Sequence, residues 1–126
     1  MGFLDKLIGN NTAVDPVELT ERLNGVLIDG ENAQIAYKVF RDFLVFTQYR
    51  IILVDIQGVT GSKVDYTSIP YKAITLFSVE TAGTFDLDAE LKIWVSGTTG
   101  PIRKTLKRGS DVSGIQRALA TGILAA

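Results

Sequence analysis

The chain has no cysteine and no histidine. Without cysteine there is no disulfide framework and no thiolate metal site. With histidine also missing, the commonest general base, the commonest metal ligand and the best side-chain nucleophile are all gone. Catalysis would have to rest on carboxylates, Lys, Tyr, Ser or Thr, and we expect a protein that is not an enzyme and carries no cofactor. A dominant charge is lacking too: 13 basic against 14 acidic residues leave a net charge of -1, whereas nucleic-acid binding needs a concentrated positive surface to displace counterions. No nucleic-acid partner is expected. Long apolar runs are absent as well. The longest, 51–54 among them, are of strand length, far short of the roughly 18 to 20 residues that span a bilayer. The N-terminal ten residues, MGFLDKLIGN, lack the basic and apolar regions of a secretion signal, so a cytoplasmic location is expected. Lys6 stands where a myristoylation signal has Ser or Thr.

What is present fits one domain over 1–126: 126 residues with 46% hydrophobic and 21% charged side chains have the composition of a chain that folds around a single core. An N-terminal helical arm is expected over 1–28. Phe3, Leu4, Leu7 and Ile8 share one face of a short helix that Gly9, Asn10 and Asn11 end. Such an arm docks on the domain or on a neighbouring subunit, or lies on a membrane surface, where its one Lys offers little attraction to anionic lipid. Asp15, Pro16 and Glu18 then sit at N-cap, N1 and N3 of a second helix. Leu19, Leu23 and Val26 or Leu27 form its apolar face, and Gly25 or Asp29-Gly30 is its expected end.

From 33 the period changes: Ile35, Tyr37 and Val39 alternate with Ala36 and Lys38, and 43–48 and 50–56 read as apolar, β-branched and aromatic runs. Strands are predicted from 33, over 43–48, 50–56 and 63–69, then over 73–81, 89–96 and 102–107, with Pro70 breaking the fourth or marking it as an edge. Seven short strands with regular turns predict a mainly β sandwich or barrel. Over 110–124, Ser110 is the expected N-cap, Asp111 favours the helix dipole, and Val112, Ile115, Leu119 and Ile123 recur at helical spacing. This helix is expected to cover the open end of a bent sheet.

Candidate chemistry is sparse. Asp86, Asp88 and Glu90 alternate along one strand face, a weak platform for Mg²⁺ or Ca²⁺ that reads equally as a solvated strand entrance, so no metal site is assigned. Gly58 to Ser62 lacks the order of a phosphate-binding loop and reads as a hairpin turn. Arg103, Lys104, Lys107 and Arg108 are the one basic concentration and the candidate anion or lipid site. Alternation divides them, Arg103 and Lys107 on one face and Lys104 and Arg108 on the other, as in a solvated edge strand. Trp94 falls on the face opposite Leu91, Ile93 and Val95, either at an interface or under the N-terminal helices.

The ordered runs Arg41-Asp42-Phe43-Leu44-Val45-Phe46-Thr47, Arg50-Ile51-Ile52-Leu53-Val54-Asp55, Gln57-Gly58-Val59-Thr60-Gly61, Ser68-Ile69-Pro70-Tyr71 and Phe77-Ser78-Val79-Glu80-Thr81-Ala82-Gly83 resemble the bacterial pleckstrin-homology (PH) domain family. The resemblance continues through 85–94 and covers roughly 19–124. It implies seven antiparallel strands in two nearly orthogonal sheets capped by the C-terminal helix, a PH-like barrel or split sandwich. It further implies a non-enzymatic module that assembles into a closed ring of identical subunits, a pentamer being the expected size, and that binds an unknown protein at strand junctions. Interface residues expected on that basis and on edge-strand logic are Arg41, Asp42, Tyr66, Glu90, Lys92 and Trp94. The alternative is a peripheral membrane or anionic-lipid module using Arg103 to Arg108. Phosphoinositide-binding eukaryotic relatives carry a basic cluster in the first hairpin, where this chain has Phe40-Arg41-Asp42. Their C-terminal helix typically carries a tryptophan, and this one has none.

Overall fold

The computed structural model describes residues 16–39, 41–81 and 88–125. The expected N-terminal arm helix over 3–8, the N-cap Asp15 and the candidate ligand Asp86 lie outside them. Helix α1 (Pro16–Arg22) is followed by β1 (Ala33–Val39), β2 (Asp42–Thr47), β3 (Arg50–Gln57) and β4 (Lys63–Pro70). A 3-10 turn (Tyr71–Ala73) leads into β5 (Ile74–Glu80), β6 (Ala89–Val95), β7 (Ile102–Leu106) and the C-terminal helix α2 (Val112–Leu124). The strands form two separate antiparallel sheets, ordered β1-β2-β3-β4 and β5-β6-β7. Among the described residues no ladder joins them, so of the two architectures expected from the strand pattern the open sandwich, not the closed barrel, is present.

The unbroken apolar character of β2 and β3 has a plain cause: the first sheet is covered on both faces. Leu44, Phe46, Ile51 and Leu53 point into the main core, where they meet Leu91 and Ile93 of β6, Leu106 of β7, and Ile115 and Leu119 of α2. Phe43, Val45, Ile52, Val54 and Ile56 point the other way, into a second core under Leu19 of α1 and Leu23 just beyond its end. The small residues Ala33 and Ala36 of β1 belong to this second core and leave room for the helix. The α1 helix is shorter than its apolar pattern promised. It ends at Arg22, and hydrogen-bonded turns through Leu23, Val26 and Leu27 carry the chain onward.

The cap of α2 also differs from the sequence expectation. Asp111, not Ser110, is the N-cap, accepting from the Gly114 amide at 3.0 Å, while the Ser110 hydroxyl has no partner. An ionised carboxylate at the positive end of a helix is the stronger acceptor, and it wins over the neighbouring hydroxyl. Two glycines in α2 serve close packing: a methyl on Gly114 would lie 2.6 Å from the Tyr37 hydroxyl, and one on Gly122 would run into the Tyr71 ring. Gly58 and Gly61, both with positive φ, make the β3–β4 turn that their spacing predicted.

Candidate functional site

One end of the first sheet is fixed by a buried ion pair. Glu31, which has no side-chain exposure, receives Arg50 through two bonds, Nε to Oε2 at 2.9 Å and a terminal nitrogen to Oε1 at 2.8 Å. The Thr47 hydroxyl donates to the same carboxylate at 2.6 Å and accepts the Tyr49 and Arg50 amides, closing the β2–β3 turn. Arg50 also donates to the Val26 carbonyl and to the Ser68 hydroxyl. The α1–β1 loop, the hairpin and β4 are thereby tied to one charge pair. The Arg50 bonds lower the Glu31 carboxyl to about 2, against a smaller upward push from burial, and Glu31 in turn raises Arg50. Tyr71 donates to the Thr47 carbonyl at 2.7 Å and is pushed up to about 12 by burial and by the charge of Glu31. Every polar atom of this group has a structural use. None of it was singled out from sequence, although a lone Glu before a strand and an Arg starting an apolar one were there to be read.

A second polar link joins the two sheets. Lys104 of β7 reaches Asp55 of β3 at 2.7 Å and Asp42 of β2 at 3.7 Å. Asp42 also accepts the Ile56 amide at 3.0 Å. Its carboxyl is raised, first by burial and then by the nearby Asp55, with the Ile56 amide and Lys104 acting against the shift.

The six interface residues expected from sequence divide among three places. Arg41 and Asp42 lie at the β1–β2 turn, where Arg41 donates to the Gly58 carbonyl at 2.8 Å and staples two turns together. Tyr66 sits on edge strand β4 opposite Val54, 40% exposed. Glu90, Lys92 and Trp94 share the outer face of the second sheet, and there the cross-strand partners of Trp94 and Lys92 are Leu76 and Ser78 of β5. On that face Glu90 pairs with Arg103 at 3.1 Å and Lys92 at 3.8 Å. Leu76 is 55% exposed and Trp94 partly so; α1 covers the other sheet, so it does not cover Trp94. The basic concentration is divided as alternation predicted: Arg103 faces outward to Glu90 and Lys104 inward to Asp55. Lys107 and Arg108 are exposed beyond the end of β7. Asp88 accepts the Arg108 amide. Among the described residues no group of three or more acidic, His or Cys side chains is placed to hold a metal ion, and no helix is long and apolar enough to cross a membrane.

A cleft of about 570 Å³ opens between α2 and the β1–β2 end of the first sheet, with Ile35, Tyr37 and Phe46 as its floor and Ala118 and Gly122 on its helical wall. Tyr37 is raised by burial and by the charge of Asp111, so neither tyrosine of the cleft is poised as a base.

Two sheets of four and three strands closed by a C-terminal helix are the architecture that the sequence resemblance implied, and the model of the bacterial PH domain family matches residues 2–123. The chain belongs to the bacterial PH domain family. It is 50% identical over 121 residues to YjqA of Bacillus subtilis strain 168, an uncharacterized protein, covering 95% of this chain and 97% of that one. Among solved structures, a PH domain from Shewanella amazonensis SB2B is 58% identical with a TM-score of 0.82, over 97% of this chain and 98% of that one. A PH-domain protein of the DUF1696 family from Shewanella loihica PV-4 is 55% identical with a TM-score of 0.80, over 91% and 98% respectively. The fold expectation is therefore borne out over the whole strand region. At the first hairpin of this PH domain the Arg41 guanidinium donates to the Gly58 carbonyl.

Proposed function

We propose that this PH domain is a non-catalytic interaction module that assembles with copies of itself into a closed ring, five subunits being the expected size, and receives a protein partner where strands of adjacent subunits meet. The observation that carries the reading is the outer face of the second sheet. Trp94 and the half-exposed Leu76 lie side by side there, framed by the Glu90–Arg103–Lys92 charges. An apolar centre with a polar rim is the anatomy of a protein interface. The face belongs to a three-stranded sheet with β5 and β7 at its edges. A head-to-tail contact made by such a face closes into a ring when its rotation divides a full turn. The absence of cysteine and histidine, and the structural use of Glu31, Arg50, Asp42 and Tyr71, favour binding over catalysis.

Light scattering coupled to size-exclusion chromatography tests this. The expected result is a single mass several-fold above 13.7 kDa, falling toward the monomer in a Leu76→Ser/Trp94→Ser variant. A wild-type monomer at all concentrations sinks the reading. The rival, anionic-lipid binding through Arg103 to Arg108, has two of its charges already paired with Glu90 and Asp55. Sedimentation with anionic liposomes that is lost on Lys107 and Arg108 substitution would restore it.

A further inference from the structure

The cleft between α2 and the first sheet, about 570 Å³, falls within the range of small-ligand sites, roughly 300 to 1,000 Å³. It follows α2 from Gly114 to Ala125, about 16 Å of helix. Apart from its polar side chains, its surface is the apolar floor of Ile35 and Phe46 and the small residues of the helical wall. Those polar side chains fall into two groups. Thr47 donates to Glu31, Gln48 to the Gly30 carbonyl, Tyr71 to the Thr47 carbonyl and Thr121 to the Arg117 carbonyl, so all four are committed within the protein. The side chains of Gln34, Tyr37 and Arg117 have no hydrogen-bond or ion-pair partner among the described residues.

Tyr37 is the group that points to a ligand. It is 2% exposed, its ring packs edge-on against Phe46, and its hydroxyl stands against Gly114 in the helical wall of the cleft. A buried hydroxyl is normally hydrogen-bonded. Arg117 follows Gly114 at i+3, about 5 Å along the helix, and helical side chains lean toward the preceding turn. A guanidinium and a phenol hydroxyl, both donors without an acceptor, therefore converge at one end of an otherwise apolar trough. Asp111 accepts the Gly114 amide as the helix cap, and its charge reaches Tyr37. An anion held by Tyr37 alone would be repelled there, so its binding depends on the Arg117 cation.

We infer that this cleft binds a medium-chain monocarboxylate, its carboxylate between the Arg117 guanidinium and the Tyr37 hydroxyl and its apolar chain along Ile35 and Phe46 toward Gly122. The distribution of polarity selects the class. A cationic amphiphile meets Arg117 with like charge, and a neutral one leaves the guanidinium without a counterion. The site is separate from the outer face of the second sheet, so it does not depend on self-assembly.

The test is a titration of the isotope-labelled full-length protein at pH 7 with octanoate, octylamine and octanol, each below its micelle-forming concentration. Octanoate should shift the amide resonances of Ile35, Tyr37, Ala118 and Gly122 saturably, leave those of Leu76 and Trp94 in place, and bind at least about tenfold more tightly than octylamine. Arg117→Gln, at an exposed position, should weaken octanoate about tenfold, as loss of a charge-assisted hydrogen bond does, and leave octanol unchanged. Tyr37→Phe should weaken octanoate several-fold, again without effect on octanol. Absence of saturable shifts, shifts centred on Leu76 and Trp94, equal affinity for octylamine, or an Arg117→Gln protein that binds octanoate like the wild type would each overturn the proposal.

Discussion

Glu31 shows how much one side chain can hold when its acceptor capacity is filled. Its carboxylate collects two bonds from Arg50, one from Thr47 and one from the Ile28 amide, and it is held at about 2 against an unperturbed 4.5. A carboxyl lowered in the folded state adds stability above its unfolded value, and that stability is lost as the pH falls from 4.5 through 2. A shift of this size corresponds to about 3 kcal/mol. Glu31→Gln should therefore be less stable at pH 7, while the difference from the wild type shrinks toward pH 2. Urea unfolding of both proteins at pH 7, 5 and 3 measures this, and a constant difference across the series would contradict it. Gly122 makes the opposite point, since its value lies in what it lacks. Gly→Ala in a helix interior normally gains roughly 1 kcal/mol. Here the added methyl meets the Tyr71 ring, so Gly122→Ala should cost about 1 to 3 kcal/mol as overpacking does. Gly25→Ala, where the new methyl meets nothing within 4 Å, should be neutral or slightly stabilising. Thermal unfolding of the two variants side by side checks the sign of each.

Among the elements, β7 holds its place by a polar and an apolar contact at once. Leu106 enters the main core while Lys104, on the same face, spans to β2 and β3. Replacing Lys104 by Met keeps the stem but leaves Asp42 and Asp55 facing each other without a cation. The loss should be about 1 kcal/mol at pH 7, because the group is partly solvated. Its pH dependence distinguishes it from a packing effect. Asp42 is already raised above 3.8, and a raised carboxyl favours the fold when protonated, an effect lost as the pH rises through the folded value. Removing Lys104 lifts that value further, so Lys104→Met should recover stability relative to wild type on going from pH 7 to pH 5. Chemical denaturation at the two pH values would show it, and a deficit that grows on acidification would count against the inter-sheet link.

At the scale of the molecule, the two cores are unequal in what covers them. The second core is closed by α1, while the main core is closed by α2 with the cleft beside it. The outer face of the second sheet carries the exposed Leu76 beside the one tryptophan of the chain. That tryptophan is a built-in reporter of assembly. If this face meets a neighbouring subunit, Trp94 emission should shift to shorter wavelength and lose accessibility to iodide as concentration rises through the assembly range. Concentration-independent emission with full quenching would place the contact elsewhere.

Strand number, most strand limits and the covering helix were legible in the sequence, because each depends on the local period of apolar residues and on Gly and Pro at turns. The cap of α2 was misplaced by one residue because Ser110 and Asp111 carry the same local signal, and only the path of the chain selects which oxygen reaches the Gly114 amide. The pairing of Glu31 with Arg50, of Lys104 with Asp55, and of Gly122 with Tyr71 was invisible, since partners separated by 19, 49 and 51 positions meet through topology and leave no periodic trace. Sequence alone determined which residues needed burial. Tertiary structure alone decided that they would form two open sheets instead of a closed barrel, which charges would be neutralised between those sheets, and which apolar groups, beside Trp94 and along the cleft, would stay open to solvent.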